Sequence, residues 1–185
     1  MLPWGHAAVG YLLYTVLCRY RTGETPESAP VLALAVGTQI ADLIDKPLAW
    51  YLGVIPSGRS LGHSLFTAVV LIAIADWIAR RYGRREYSAA FAVGHLSHLA
   101  ADSVYPILRG NFGELRFLLW PAIPQPPEET ETDRTIPQVL IESTFSPVGV
   151  FELLLFVLAT ALWLAHRAPG LWLCLGAVRS LVRRR

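Results

Sequence analysis

The chain has 185 residues, of which 54% are hydrophobic and only 16% charged, and its mean hydropathy is +0.42. A soluble domain carries about 25% charged residues, so the composition argues against an ordinary soluble protein and for a membrane protein of a single domain, residues 1–185. The formal net charge is only +2, and the two cysteines, Cys18 and Cys174, show no C-x-x-C spacing and signal neither a disulfide scaffold nor a thiolate metal site.

A spanning helix needs about 17–25 mainly apolar residues. In chain order the candidates are 3–20, 30–49, 62–79, 87–108 and 148–165. The first begins without a basic leading region, so it reads as a retained membrane helix, not a cleaved signal peptide. The second carries Asp42, Asp45 and Lys46 near its end, and the fourth carries AVGHLSHLAAD in its middle. Between the fourth and fifth, residues 109–147 form the longest connection. It contains an amphipathic NFGELRFLLWP and then PAIPQPPEETETDRT, whose Pro and Glu content predicts a flexible surface loop. A last apolar stretch, 170–182, is too short to span. With the arginines around it, segment 167–185 reads as a basic interfacial helix. The fold class expected is therefore all-α, a polytopic bundle of about five transmembrane helices.

Charge placement orients the bundle. Five spans collect Arg19, Arg21, Arg80, Arg81, Arg84, Arg85, Arg167, Arg179 and Arg183 to Arg185 at one set of ends, eleven of the sixteen basic residues. The positive-inside rule puts that side in the cytoplasm. The N-terminus is then outside, the C-terminus inside, and the 109–147 connection outside.

With this orientation, ionisable residues far apart in sequence converge on one depth, the outer half of the cell membrane. His6 lies at the start of the first span, Asp42 and Asp45 at the end of the second, and His63 at the start of the third. His95, His98 and Asp102 lie on one face of the fourth, at i, i+3 and i+7. Such groups are costly inside a membrane and usually mark function. Imidazoles and carboxylates without thiolates suit zinc, or manganese or another first-row divalent ion. The tally could fill one ion or two. The same residues would also serve a hydrogen-bonded packing network.

Other polar residues have plainer readings. Asp76 pairs with Arg80 at i+4, and His166 is a helix-terminal charge or an interface residue. The tryptophans fit interfacial belts, and Glu152 partners a loop arginine and stays outside the ligand set.

Four stretches, GHAAVGYLL, GTQIADLIDKPL, GRSLGHSL and VGHLSHLAAD, carry a resemblance over about residues 1–125. The chain resembles the membrane-bound metal-dependent hydrolases of the DUF457 or YdjM-like group, also called LexA-binding inner-membrane hydrolases. That group is likened more distantly to zinc-dependent phospholipase C. The resemblance implies that Asp42, Asp45, His63, His95 or His98, and Asp102 are metal ligands, and that His6 matches an early histidine. Ala41 stands where many members have proline, and SGRS lacks a histidine that many carry at that point.

The expected function is hydrolysis of a phosphoester or other ester, with a lipid-like substrate, by metal-activated water. Asp45 would accept the water's proton, and Arg59 would hold an anionic phosphate. Membrane lipids are the expected partners, and no nucleic-acid-binding motif is present. The alternatives are a cation or proton transporter and a non-catalytic metal-binding or scaffold protein.

Overall fold

A computed structural model describes residues 1–126 and 136–182. Every regular element among them is helical. The helices are α1 (Pro3–Thr22), α2 (Ser28–Lys46), α3 (Leu65–Arg81), α4 (Arg85–Leu108), α5 (Ile136–Phe145), α6 (Pro147–Ala165) and α7 (Leu171–Val182). A π-helical turn at Pro47–Tyr51 prolongs α2, and a 3-10 segment at Phe112–Leu119 follows α4. The fold is all-α, as expected. Of the loop expected at 121–135, residues 127–135 lie outside the described residues, as do Arg183, Arg184 and Arg185. The connection also holds a helix, α5, that the sequence reading treats as loop. Pro137 is its second residue, where proline's missing N–H costs nothing.

Local chemistry sets the helix ends. Gly23 closes α1 at φ 74°, a left-handed position that a side chain would strain. Ser64 caps α3 by accepting from the Phe66 N–H at 3.2 Å. Ser146 caps α6 by accepting from the Gly149 N–H at 3.0 Å.

Helix α4 is central and packs on α1, α2 and α3, and its pairing with α2 is the most extensive in the molecule. Reciprocal glycines make it so. A Cβ on Gly37 would run into the Phe91 carbonyl, and a Cβ on Gly94 into the Leu34 carbonyl. The two backbones therefore meet directly, and α2 and α4 present their polar halves to each other at short range.

Two of the helices, Ser28–Tyr51 and Pro147–Ala165, are long and apolar enough to cross a membrane, against the five spans expected. The shortfall has a physical cause. Helices α1 and α4, with 20 and 24 residues, would extend about 30 and 36 Å at 1.5 Å per residue. Their mean hydropathy is held down by histidines, an aspartate and terminal arginines. Helix α3 has only 17 residues.

The distribution of polarity is inverted relative to a soluble domain. Large apolar side chains of α1, α3 and α6, among them Val16, Val69, Leu154 and Val157, are exposed. His6, Asp45, His63, His95, His98 and Asp102 are buried. At the end opposite the buried histidines, Asp76 accepts from Arg80 at 2.6 Å, the pair expected at i+4. His166 caps α6 and shares a 2.8 Å hydrogen bond with the Tyr11 hydroxyl. Burial, then the neighbouring Arg19, lowers the pKa of His166.

Candidate metal centre

The centre is built from α1, α2, α4 and the loop before α3. Asp45 organises that loop. Its Oδ1 accepts from the Gly62 N–H at 2.6 Å, and its Oδ2 accepts from the N–H groups of Ser60 at 2.7 Å and His63 at 3.3 Å. The same Oδ2 lies 2.8 Å from His63 Nδ1. Gly62 lies against α2, where a Cβ would come within 2.8 Å of the Ala41 carbonyl oxygen. The loop can therefore sit flat on the helix turn that carries Asp42.

The hydrogen bonds fix the imidazole tautomers. His98 Nδ1 is 2.7 Å from the Thr38 carbonyl oxygen, which can only accept. His63 Nδ1 faces the Asp45 carboxylate in the same way. Each ring thus donates through Nδ1, and in its neutral form holds a lone pair on Nε2. These two Nε2 atoms face each other at 3.0 Å. Around them stand Asp102 Oδ2, at 3.3 Å from His63 Nε2 and 3.9 Å from His98 Nε2, and Asp42 Oδ1, at 3.6 and 3.9 Å.

Two lone pairs and two carboxylate oxygens converge on one point in a buried interior. The carboxylates have cations of their own in Lys46, Arg59 and the N-terminal ammonium, but two facing imidazole lone pairs repel each other unless a cation or a shared proton lies between them. With zinc–ligand bonds of about 2.0–2.1 Å, donors of a tetrahedral site are separated by about 3.4 Å. The separations between the imidazole nitrogens and from them to each carboxylate oxygen bracket that value, so the imidazole pair with either carboxylate fits a divalent ion. His63 Nδ1 on a carboxylate and His98 Nδ1 on a carbonyl are the outer contacts that orient metal-binding imidazoles.

His6 comes to the same place from α1. Its ring stacks on His98, with centroids 3.7 Å apart and planes at 16°. Its Nε2 lies 3.5 Å from Asp102 Oδ1, and both ring nitrogens are buried without a hydrogen-bond partner. Two groups of ligand atoms therefore form, one of Asp42, His63 and His98 and one of His6, His98 and Asp102. His95 joins neither. It is seven residues from Asp102, about 10 Å along the helix, and stacks on Phe91 at 6.1 Å.

Three cations meet the carboxylates of the centre: the N-terminal ammonium of Met1, 2.6 Å from Asp102 Oδ1, and the side chains of Arg59 and Lys46. Arg59 Nε is 3.1 Å from Asp102 Oδ2, with its side chain 45% exposed. Lys46 Nζ is 2.5 Å from Asp42 Oδ2 and lies over the Trp50 ring at 5.7 Å. Phe117 of the 3-10 segment is fully buried and sets its ring edge-on to His63, 6.0 Å away. The Ser64 hydroxyl donates to the Trp120 carbonyl at 2.5 Å. The segment after α4 is thus fastened over the centre.

The orienting roles of Thr38 and Phe117 had no signal in the sequence, since one acts through its carbonyl and the other through tertiary packing. Glu152 is 2% exposed and accepts from the Leu2 N–H at 2.8 Å. No arginine reaches it among the described residues.

No curated protein and no solved structure matches the chain. Its sequence does match the YdjM inner membrane protein family over residues 1–182. The match takes in every residue of the buried centre, and the chain belongs to the YdjM inner membrane protein family.

Proposed function

We propose that the protein is a zinc-dependent hydrolase of a lipid-like phosphoester or other ester, working in the outer half of the cell membrane. In this reading five helices (α1, α2, α3, α4 and α6) span the bilayer. The N-terminus and the centre face outward, and α7 lies on the cytoplasmic surface. The arginine asymmetry supports the orientation, and the exposed apolar faces of α1, α3 and α6 support the spans. The observation that carries the reading is the pair of Nε2 atoms facing each other at 3.0 Å beside two carboxylate oxygens.

His63, His98, Asp42 and Asp102 would hold the ion, and His6 would reach it or a neighbouring ion through the other oxygen of Asp102. A divalent ion so held supplies acidified water and a polarised phosphoryl or carbonyl oxygen. Asp45 and the Thr38 carbonyl keep the imidazoles aimed. Sequence reasoning gave Asp45 the proton-accepting role, but both its oxygens hold the His63 loop, so we assign it to positioning. Arg59, half-exposed at the rim, is placed to take an anionic phosphate. Phe117 keeps water from His63.

The packing favours hydrolysis over transport. Beside the centre, α2 and α4 meet backbone to backbone at Gly37 and Gly94, which leaves no room for a conduction path between these two helices.

The test is to incubate zinc-loaded protein in detergent micelles with phospholipids and lipid diphosphates and follow products by mass spectrometry. Hydrolysis that disappears on chelation and in His63→Ala is expected. Metal-loaded protein that turns over none of them would favour the metal-binding or scaffold alternative.

A further inference from the structure

With Asp45 committed to the loop and His6 placed among the ligands, the structure offers a carboxyl on another helix to carry protons. A cleft of about 730 Å³ opens beside the centre, between the outer ends of α4 and α6. Asp102 and Arg59 line one side, Glu152 the other, and Leu2 and Tyr105 also border it. Glu152 stands one turn into α6, a helix with no other ionisable residue. Its Oε2 accepts from the Leu2 N–H at 2.8 Å and lies over Gly5, where a Cβ would come within 2.8 Å of it. Gly5 thus lets the carboxyl reach α1 beside His6. The N-terminal ammonium of Met1 pairs with Asp102 Oδ1 at 2.6 Å, and its nitrogen is next in the chain to that of Leu2, so the two carboxyls stand less than about 9 Å apart, on either side of this cation.

The other carboxyls on this cleft are placed differently. Glu114 is exposed and accepts from Asn111 at 2.6 Å, Glu142 is exposed on α5, and Asp102 is engaged by the histidines and Arg59.

We propose that Glu152 is the proton-transfer residue of this site. The inference rests on the hydrolytic reading above. In the reaction, the oxygen of water bonds to the phosphorus or carbonyl carbon, and the ester bond breaks. The departing oxygen keeps the bonding electron pair and takes the proton of the Glu152 carboxyl. The proton released by water restores that carboxyl. One oxygen of Glu152 holds the Leu2 N–H throughout, which leaves the other to carry the proton.

Glu152→Gln separates this role from a structural one, because the amide oxygen can still accept from Leu2. The zinc-loaded variant and parent are compared on an alkyl 4-nitrophenyl phosphodiester and on the matching dialkyl phosphodiester, in micelles, with zinc content measured in parallel. The variant is expected to keep its zinc and to lose about 100-fold or more in kcat on the dialkyl ester, the range of acid–base catalysis. On the nitrophenyl ester, whose leaving group needs no proton, it loses less than about 10-fold. Equal losses on both esters, no loss on either, or loss of zinc would overturn the assignment. A parent that cleaves neither ester would remove the hydrolytic reading, and this one with it.

Discussion

Gly62, His63 and Ser64 divide three tasks among them. Gly62 lets the loop touch the backbone at Ala41, His63 turns one nitrogen to Asp45 and the other to the centre, and Ser64 caps α3. Gly62→Ala forces a Cβ to within 2.9 Å of the Ala41 Cα. Overpacking of this kind costs about 1–3 kcal/mol, read as a lower thermal midpoint in detergent. An unchanged midpoint would mean that the loop does not lie flat on α2. Asp45→Asn keeps the volume but replaces one acceptor oxygen by a donor. Loss of such an orienting contact weakens metal binding by about 10- to 100-fold, measurable by competitive zinc titration. Sequence spacing alone made His95 as good a candidate as His98. The choice between them came from depth and from the Thr38 carbonyl, neither of which a spacing rule contains.

At the scale of the helices, the α2–α4 contact holds the centre's geometry. Asp42 comes from one helix, His98 and Asp102 from the other, and the glycine pair beside them sets how close the helices lie. Gly94→Ala would push α4 off α2 at the Leu34 carbonyl. It is expected to lower both thermal stability and zinc affinity although it touches no ligand. A variant that lost stability but bound zinc normally would show that the ligands do not depend on this contact. The helices themselves were legible from apolar runs and caps. Helix α5 was not, because a ten-residue helix inside a Pro- and Glu-rich connection has too little periodicity to stand out. The fastening of the 3-10 segment by Ser64 and Phe117 is a long-range contact that local pattern cannot predict.

For the whole molecule, the residues that make the centre also make the membrane spans hard to read. Histidines and one aspartate lower the hydropathy of α1 and α4, and arginines at their ends lower it further. What the sequence retained was the asymmetry of those arginines, which grouped His6, Asp42, His63, His98 and Asp102 at one depth. The orientation it implies can be probed with single cysteines in a background lacking Cys18 and Cys174. Val54→Cys, in the loop leading to His63, is expected to react with a membrane-impermeant maleimide in intact cells, and Arg84→Cys only after the membrane is opened. The reverse pattern would place the centre on the cytoplasmic side. The central claim is that the facing imidazoles and carboxylates hold a metal ion. Elemental analysis of the purified parent beside His98→Ala and Asp102→Ala tests it most directly. The account predicts at least one zinc per chain in the parent and little in either variant; a parent without stoichiometric divalent metal, or variants that retain as much as the parent, would contradict it.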